Sequence, residues 1–482
     1  MLPKSPMTQA APVKFMINIG ATMDIPTGFY VKGIHGEYLL VGGLGYLTGI
    51  TGRGNCFKST TMHYMTLSAS DRLASTAETS INTYDTEMNI HEDRLRKLSS
   101  VFPSFKDKDI LNDGTWIVTD KTVYYGNEWY SKLKEYLDLK KTNAAKLTYE
   151  TPFLDRDGKT PIRIMIPTFS QVDSFSAFET SDVAKIQEEN ELGDSGGNTI
   201  HMRQGLAKLR FLMEIPGLGA STNHFTILTA HMGQDMAIAS GPYSMPPPKK
   251  LQHMKQGEKI KGVTDQFFFL TNNFWQMVNA VPLVNQTTKA AEYPKNSDDN
   301  EQGDMDLNIV TMKSLRNKSG QSGVVLEIIV SQIEGVLPSL TEFHFIKSAE
   351  RFGIAGTLQH YNLILYPECK LSRTTVRGKI DVDPKLRRAL NITSELLQLY
   401  YYHKSLREIL MEPQELYDAI KKAGYDWDFI LSNTRGWWTV NNDSHPLFFL
   451  STLDLVHMAR GLYHPYWLEE DKKTIVKQFR KD

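Results

Sequence analysis

Residues Gly52 to Thr60 read G-R-G-N-C-F-K-S-T, a spacing suited to holding a phosphate chain. The usual loop runs Gly, four residues, Gly, Lys, Ser or Thr. Gly52 opens this run and Lys58-Ser59 closes it, but Phe57 stands at the second glycine position. The chemistry mostly survives that change. Backbone N–H groups of Arg53, Gly54, Asn55, Cys56 and Phe57, at a helix N-terminus, can surround an anion. Lys58 can reach the terminal phosphates, and Ser59, with Thr60 beside it, offers a hydroxyl to Mg²⁺. Hydrolysis needs a carboxylate that activates water, a second carboxylate near the metal and a group that senses the γ-phosphate. Glu87, Asp173 and His231 supply one residue for each role, and each ends a predicted strand. Singly, an acid after a strand is often a helix cap and a histidine is often a core residue. Three in order behind such a loop argue for a site.

The elements that must position them follow from the apolar pattern. Val13 to Ile19 alternates as a strand, and the run from Tyr38 to Ile50 is buried and leads into the loop. Ser59 to Ser70, Glu92 to Ser99, Trp129 to Leu139 and Met202 to Glu214 read as helices. Ile81 to Glu87, Ile162 to Val172, Phe225 to Ala230 and residues 264–271, 307–313 and 323–331 read as strands. Helix and strand alternate and several strands are uniformly apolar, which predicts an α/β core with a mainly parallel sheet covered on both faces. Residues 179–198 and 235–262 read as long loops, and the polar run 289–304 as a disordered excursion. Past about residue 360 tyrosine and tryptophan become dense. Asp383-Pro384 caps a helix to about Leu410, Pro413 to Ala423 forms a second, and Trp437 to Val440 is strand-like. That order suits a winged-helix-like unit and equally a helical cap domain. The expected division is a leader and oligomerisation segment over 1–30, the ATPase core over 31–358 and a mostly helical domain over 359–482.

The chain has 482 residues, enough for two or three domains. A net charge of −1 excludes uniform attraction to nucleic acid and leaves room for local basic loops. Two cysteines, Cys56 and Cys369, give no disulfide framework, and no apolar run matches a bilayer. The first residues lack a signal-peptide pattern, so the expectation is a reducing cytoplasm.

Several short motifs resemble the RecA/RadA recombinase family, and within it the phage UvsX branch. Ile25 to Phe29 with Gly36-Glu37 is similar to the family's approach to its phosphate loop. The Phe57-Lys58-Ser59 ending is similar to the UvsX form. Tyr84 to Glu87 resembles the segment with the catalytic glutamate, Val172-Asp173-Ser174 the Walker B aspartate, and Ala230-His231 the sensor. Glu191 to Ser195 (ELGDS) and Met202 to Arg210 resemble the first DNA-binding loop and its helix, and residues 306–354 the last core strands. The likeness runs through residues 13–355, and residues 360–482 resemble nothing we place. The chain departs from RecA at Phe57, in a longer aromatic-rich stretch from 99 to 160, and in Pro246-Pro247-Pro248-Lys249-Lys250 at the second loop.

The resemblance implies a RecA-like P-loop ATPase using ATP and Mg²⁺, with Ser59 and Asp173 at the metal and Arg94 packed against adenine. It implies filaments of identical subunits on single-stranded DNA, exchange with double-stranded DNA, and a loader or single-strand-binding partner, in a phage host's cytoplasm. Flexible loops with cations track phosphates while aromatic residues stack bases. Tyr243, Lys249, Lys250, Lys255, Lys259 and Lys261 are the candidates in the second loop, and Arg203 in the first. The resemblance also sets Lys313 and Arg316 to reach a neighbour's γ-phosphate, although a solvent-facing pair is the plain alternative. A DnaB-type ring helicase is the chief rival, because Lys313 to Asn317 is similar to its K-x-R-N segment with one residue added. A non-hydrolysing DNA-binding scaffold is the third reading, prompted by Phe57.

Overall fold

A ten-stranded sheet organises the chain. The computed structural model describes residues 11–74, 79–189, 197–234, 249–296, 304–357, 359–440 and 442–480. In chain order the strands are Leu47–Gly52 (β1), Ile81–Asp85 (β2), Trp116–Asp120 (β3), Thr168–Asp173 (β4), His224–Gln234 (β5), Glu258–Ile260 (β6), Asn273–Pro282 (β7), Leu307–Asn317 (β8), Val325–Ser331 (β9) and Gly335–Val336 (β10). Their spatial order is β10-β9-β8-β7-β1-β5-β4-β2-β3, with β6 on the outer end of β5. From β7 to β3 neighbours run parallel. From β7 to β10, and between β5 and β6, they run antiparallel. The sheet is therefore mixed, with its parallel half around β1.

Side chains alternate between the two faces as a strand period of two demands. Ile50, Ile81, Phe169, Phe225 and Ile227 join one apolar cluster with Met62 and Met65 of the helix Lys58–Ala69 (α1). Leu47, Tyr84, Val172 and Leu228 join another with Trp129 and Leu133 of Gly126–Thr142 (α2) and Phe211 and Leu212 of Gly197–Thr222 (α3). β1, β2, β4 and β5 are thus packed from both sides, which fixes their register. β1 and β4 are buried at every position.

Several local expectations change. Part of the expected loop 179–198 is a helix, Ser181–Glu189. The helix expected to reach Leu410 ends at Tyr402. In the run expected to be disordered, Ala290, Ala291 and Tyr293 are buried, and Ala291 bridges Val284. The expected strand Ile162–Val172 is two strands, Pro161–Met165 and β4, because Pro167 has no N–H for a central ladder. Residues 264–271 hold a short helix, Gln266–Leu270, rather than a strand; the β-type triple phenylalanine misleads, and the strand starts at Asn273. Val13–Ile19 contributes only a single bridge, Ile17 with Leu44, though most of it is buried in the chain's own core. Trp437 to Val440 is not a strand: Thr439 Oγ1 and the Val440 N–H both donate to the Leu73 carbonyl instead.

Beyond the sheet, helices Pro384–Tyr402 (α4), Pro413–Lys422 (α5), Trp427–Asn433 (α6) and Thr452–Ala459 (α7) surround an aromatic core. Asp383 caps α4, accepting from the N–H groups of Lys385 and Leu386. The core includes Leu386, Leu390, Ile430 and Trp467 together with Ile329, Leu340 and Phe343, so residues on both sides of 358 share it. No helix among the described residues is long and apolar enough to cross a membrane.

A buried polar cluster stitches α1 to the parallel strands. Gln171 Oε1 meets His63 Nδ1 at 2.9 Å and accepts from Thr83 Oγ1 at 2.9 Å, while its Nε2 donates to Thr66 Oγ1 at 2.6 Å. Trp116 Nε1 donates to Thr83 Oγ1 at 2.8 Å. Replacing Gln171 by leucine would orphan several of these groups at once. Gln171→Leu is expected to cost about 2–4 kcal/mol, read as a lower denaturant midpoint at unchanged slope.

Candidate functional site

The loop from Gly52 to Phe57 leaves the C-terminal end of β1, where the chain order reverses, the place open α/β sheets use for ligands. At Gly52 a Cβ would lie 2.9 Å from Met277, so the strands close only around glycine. Arg53, Gly54 and Asn55 are exposed and Cys56 is buried. Phe57 takes the left-handed conformation, φ 57° and ψ 29°, and caps α1. The backbone keeps the turn that glycine usually supplies, at about 1–2 kcal/mol for a side chain there. Its ring packs half-buried against the core, which offsets that cost.

Lys58 is buried and its ammonium donates to the Arg53 carbonyl at 2.8 Å. Burial pushes its pKa below the ordinary lysine value, against the opposing pull of Asp173, Cys56 and Glu87. Ser59 and Thr60 are half-exposed at the first turn of α1.

The register brings the other candidates together. Gly52 lies opposite His231, and Asp173 opposite Asp85. β5 and β2 flank β4, so their ends are about 10 Å apart at ~4.8 Å per strand. Glu87 and His231 bridge that gap: His231 Nε2 and Glu87 Oε1 are 2.7 Å apart. Asp173 ends the strand between them and accepts from Thr229 Oγ1. The three predicted residues therefore converge beside the loop.

Residues that the sequence did not single out hold this arrangement. Asp85, almost fully buried, accepts from the N–H groups of Glu87 (3.0 Å), Asn89 (2.8 Å) and Ile90 (2.8 Å), which shapes the Glu87 loop. Asn89 Nδ2 donates to Glu87 Oε2 at 3.2 Å. Thr86 ties that loop to β4: its N–H donates to the Asp173 carbonyl, its hydroxyl donates to the Ser174 carbonyl, and it accepts from the Ser174 N–H. The Ser176 hydroxyl accepts from the His231 N–H at 2.9 Å and donates to the Lys261 carbonyl at 2.8 Å. The only signal available was the second acid in Tyr84-Asp85-Thr86-Glu87; Asn89 acts on Glu87 locally, and Thr86 and Ser176 act through backbone groups far away in sequence.

The donor set fits a magnesium nucleotide. Ser59 and Asp173 are hard oxygen donors of the kind Mg²⁺ takes beside phosphate oxygens. Ser174 Oγ, next to Asp173, is buried without a hydrogen-bond partner, leaving polar capacity at the acids. Arg94 donates to the Ile333 carbonyl at 2.6 Å, in the turn whose Gly335 packs close to Leu98 and near Thr60. That places it at the rim of α1's first turn.

The remaining candidates are spread out. Lys249, Lys250, Lys255 and Lys261 are exposed and Lys259 is half-exposed. Lys250 pairs with Asp265 at 2.9 Å. β6 pairs with Met232 to Gln234, so these lysines hang from the strand that carries His231. Arg203 is exposed on α3. Tyr243 and the Glu191–Ser195 run lie outside the described residues. Lys313 and Arg316 are not brought to the loop. Lys313 sits two strands from Thr51, and Arg316 opposite Phe274. A bulge at Leu315 leaves both half-exposed while Ser314 and Leu315 are buried, so the added residue restores a shared outlook.

Phe57 gives a direct test of the loop. Phe57→Gly keeps the left-handed turn, so stability should stay within about 1 kcal/mol. Phe57→Val forces a β-branched residue into the same turn and should lose about 2 kcal/mol. Chemical denaturation of both variants reads the difference, and equal losses would show that the turn is not what constrains this position. Compared with models of known families and with curated proteins, the chain matches neither a family model nor an individual protein.

Proposed function

We propose that this chain is an ATP-dependent DNA recombinase with a RecA-like core. It binds ATP and Mg²⁺, forms helical filaments on single-stranded DNA and promotes pairing and exchange with double-stranded DNA. The observation that carries the reading is the 2.7 Å contact between Glu87 and His231, spanning Asp173 beside the Gly52–Thr60 loop. A phosphate loop alone binds; a carboxylate held by a polar partner at the same strand ends is what turnover requires.

In this reading the loop N–H groups and Lys58 hold the phosphates, and Arg94 borders the base. Mg²⁺, held by Ser59 and Asp173, would supply charge neutralisation at the phosphates. Glu87 takes the proton of the attacking water. His231 fixes the Glu87 carboxylate from the strand that also carries the lysine segment, so DNA contact and hydrolysis meet on β5. Lys313 and Arg316 serve a neighbouring subunit, which suits residues that their own chain does not bring to its own loop. Filament assembly then completes the site, and a loader or single-strand-binding protein would assist it. The expected setting is the cytoplasm of a phage host.

Two variants test the chemistry. Lys58→Ala should reduce ATP turnover at least ~100-fold, and turnover at the parental rate would remove the loop from the mechanism. Glu87→Gln should lower turnover ~100-fold while nucleotide binding stays within a few-fold. Assembly is tested by electron microscopy with single-stranded DNA and a non-hydrolysable ATP analogue. Helical filaments with DNA-stimulated turnover are expected. Closed hexameric rings would move the protein to the helicases, and binding without turnover would make it a scaffold.

A further inference from the structure

Lys208 is a lysine with almost no contact with water. It lies on α3 and is 1% exposed. Its ammonium donates to two backbone carbonyls from distant segments, Ser176 at 2.8 Å and Gly262 at 2.7 Å. The Phe175 ring lies beneath it, 5.7 Å from the nitrogen. One turn earlier on the same helix, Gln204 Nε2 donates to the Phe178 carbonyl at 2.9 Å. Helix α3 thus holds the turn that follows Asp173 at two points.

The segments joined by Lys208 lead to the site from opposite directions. Ser176 is three residues past Asp173, and its hydroxyl receives the His231 N–H. Gly262 closes the lysine-bearing run from Lys249 to Lys261. Its φ is +66°, and a Cβ there would come within 2.6 Å of the Ser176 carbonyl, so the two backbones touch. Lys261 adds two bonds at the same joint: its carbonyl accepts from Ser176 Oγ and its N–H donates to the His231 carbonyl at 2.8 Å. Two segments and one helix therefore meet at a single ammonium, and the His231 strand end joins them through Ser176 and Lys261. From there a short path runs through Ser176 to His231 and on to Glu87.

We infer that Lys208 is a positioning residue that couples DNA contact at the 249–262 segment to the Glu87–His231 pair. DNA drawing on the exposed lysines displaces or braces Gly262. Lys208 passes that constraint to Ser176, and Ser176 sets the backbone of His231. An apolar residue of similar length fills the same space without joining the carbonyls. This inference rests on the recombinase reading and adds to it a route by which DNA regulates hydrolysis.

The test compares full-length parent, Lys208→Met, Ser176→Ala and the double variant, each measured for ATP turnover with and without single-stranded DNA. The readout is the stimulated-to-basal ratio, because a merely structural loss scales both arms together. Each single variant should lower the ratio at least ~5-fold, with the KM for ATP within about twofold. The double variant should be no worse than the poorer single one, since both cut one path. A parental ratio in Lys208→Met, or equal falls in both arms, overturns the inference. If Lys208→Met does not fold, Ser176→Ala decides: a parental ratio there overturns the path. A parent that turns over ATP without any DNA stimulation overturns the coupling but leaves the ATPase assignment standing, whereas a parent without turnover overturns both.

Discussion

Strand register is the constraint on which everything else here depends. Gly52 is level with His231, and Asp173 is level with Asp85, across adjacent parallel strands. A one-residue slip would turn the Asp173 side chain to the opposite face and separate it from Thr229. It would also move His231 out of reach of Glu87. Packing prevents the slip because both faces of β4 and β5 are filled, Phe169 and Ile227 on one side and Val172 and Leu228 on the other. The chemistry of the site is thus held by apolar side chains that never approach it.

The same strands carry many polar residues, which at first conflicts with deep burial. β4 reads Thr-Phe-Ser-Gln-Val-Asp, yet each position is buried. The polar groups pair across the sheet: Ser170 Oγ with Thr226 Oγ1 at 2.9 Å, and His224 Nε2 with Ser170 Oγ at 2.9 Å. Burying such groups is tolerable only when they are bonded, and a bonded network permits fewer alternative registers than an apolar one. Thr86 does the same work outside the strands, clamping the Glu87 loop onto Ser174.

Much of this could be read from the sequence, and the gaps have physical causes. Loop, helix α1 and the ends of β2, β4 and β5 follow from motif spacing and apolar runs, so Lys58, Ser59, Glu87, Asp173 and His231 were legible. Residues that act through backbone partners were not. Ser176 and Lys208 belong to the site only because residues 55 and 54 positions away fold onto them. Pro167, which has no N–H to give a central ladder, marks the break in the 162–172 run. The Phe267-Phe268-Phe269 triplet has strand propensity, but tertiary packing against Phe274 and Phe175 makes it a helix. The bulge at Leu315 is invisible without the partner strand.

Lys208 raises a last question: why an ion should sit where a methionine would fit. Burial lowers its pKa to about 8, and no carboxylate faces it among the described residues. Desolvation therefore makes it a weak contributor to stability, and a packed apolar side chain would bind α3 to the sheet at least as firmly. What the apolar residue cannot do is bind two carbonyls from separate segments. An ammonium has three donors and no preferred plane, so it can meet two carbonyls that approach from different directions. Lys140 offers a contrast: it is also buried, its pKa is lowered to about 7, but its ammonium donates to Thr168 Oγ1 within the core. Thr168 Oγ1 in turn meets His224 Nδ1 at 2.9 Å, so that lysine locks a fixed interior. Lys208 instead joins segments at the edge of the sheet, beside exposed lysines. A desolvated ion that joins two separate segments is hard to explain by stability and natural to explain by coupling.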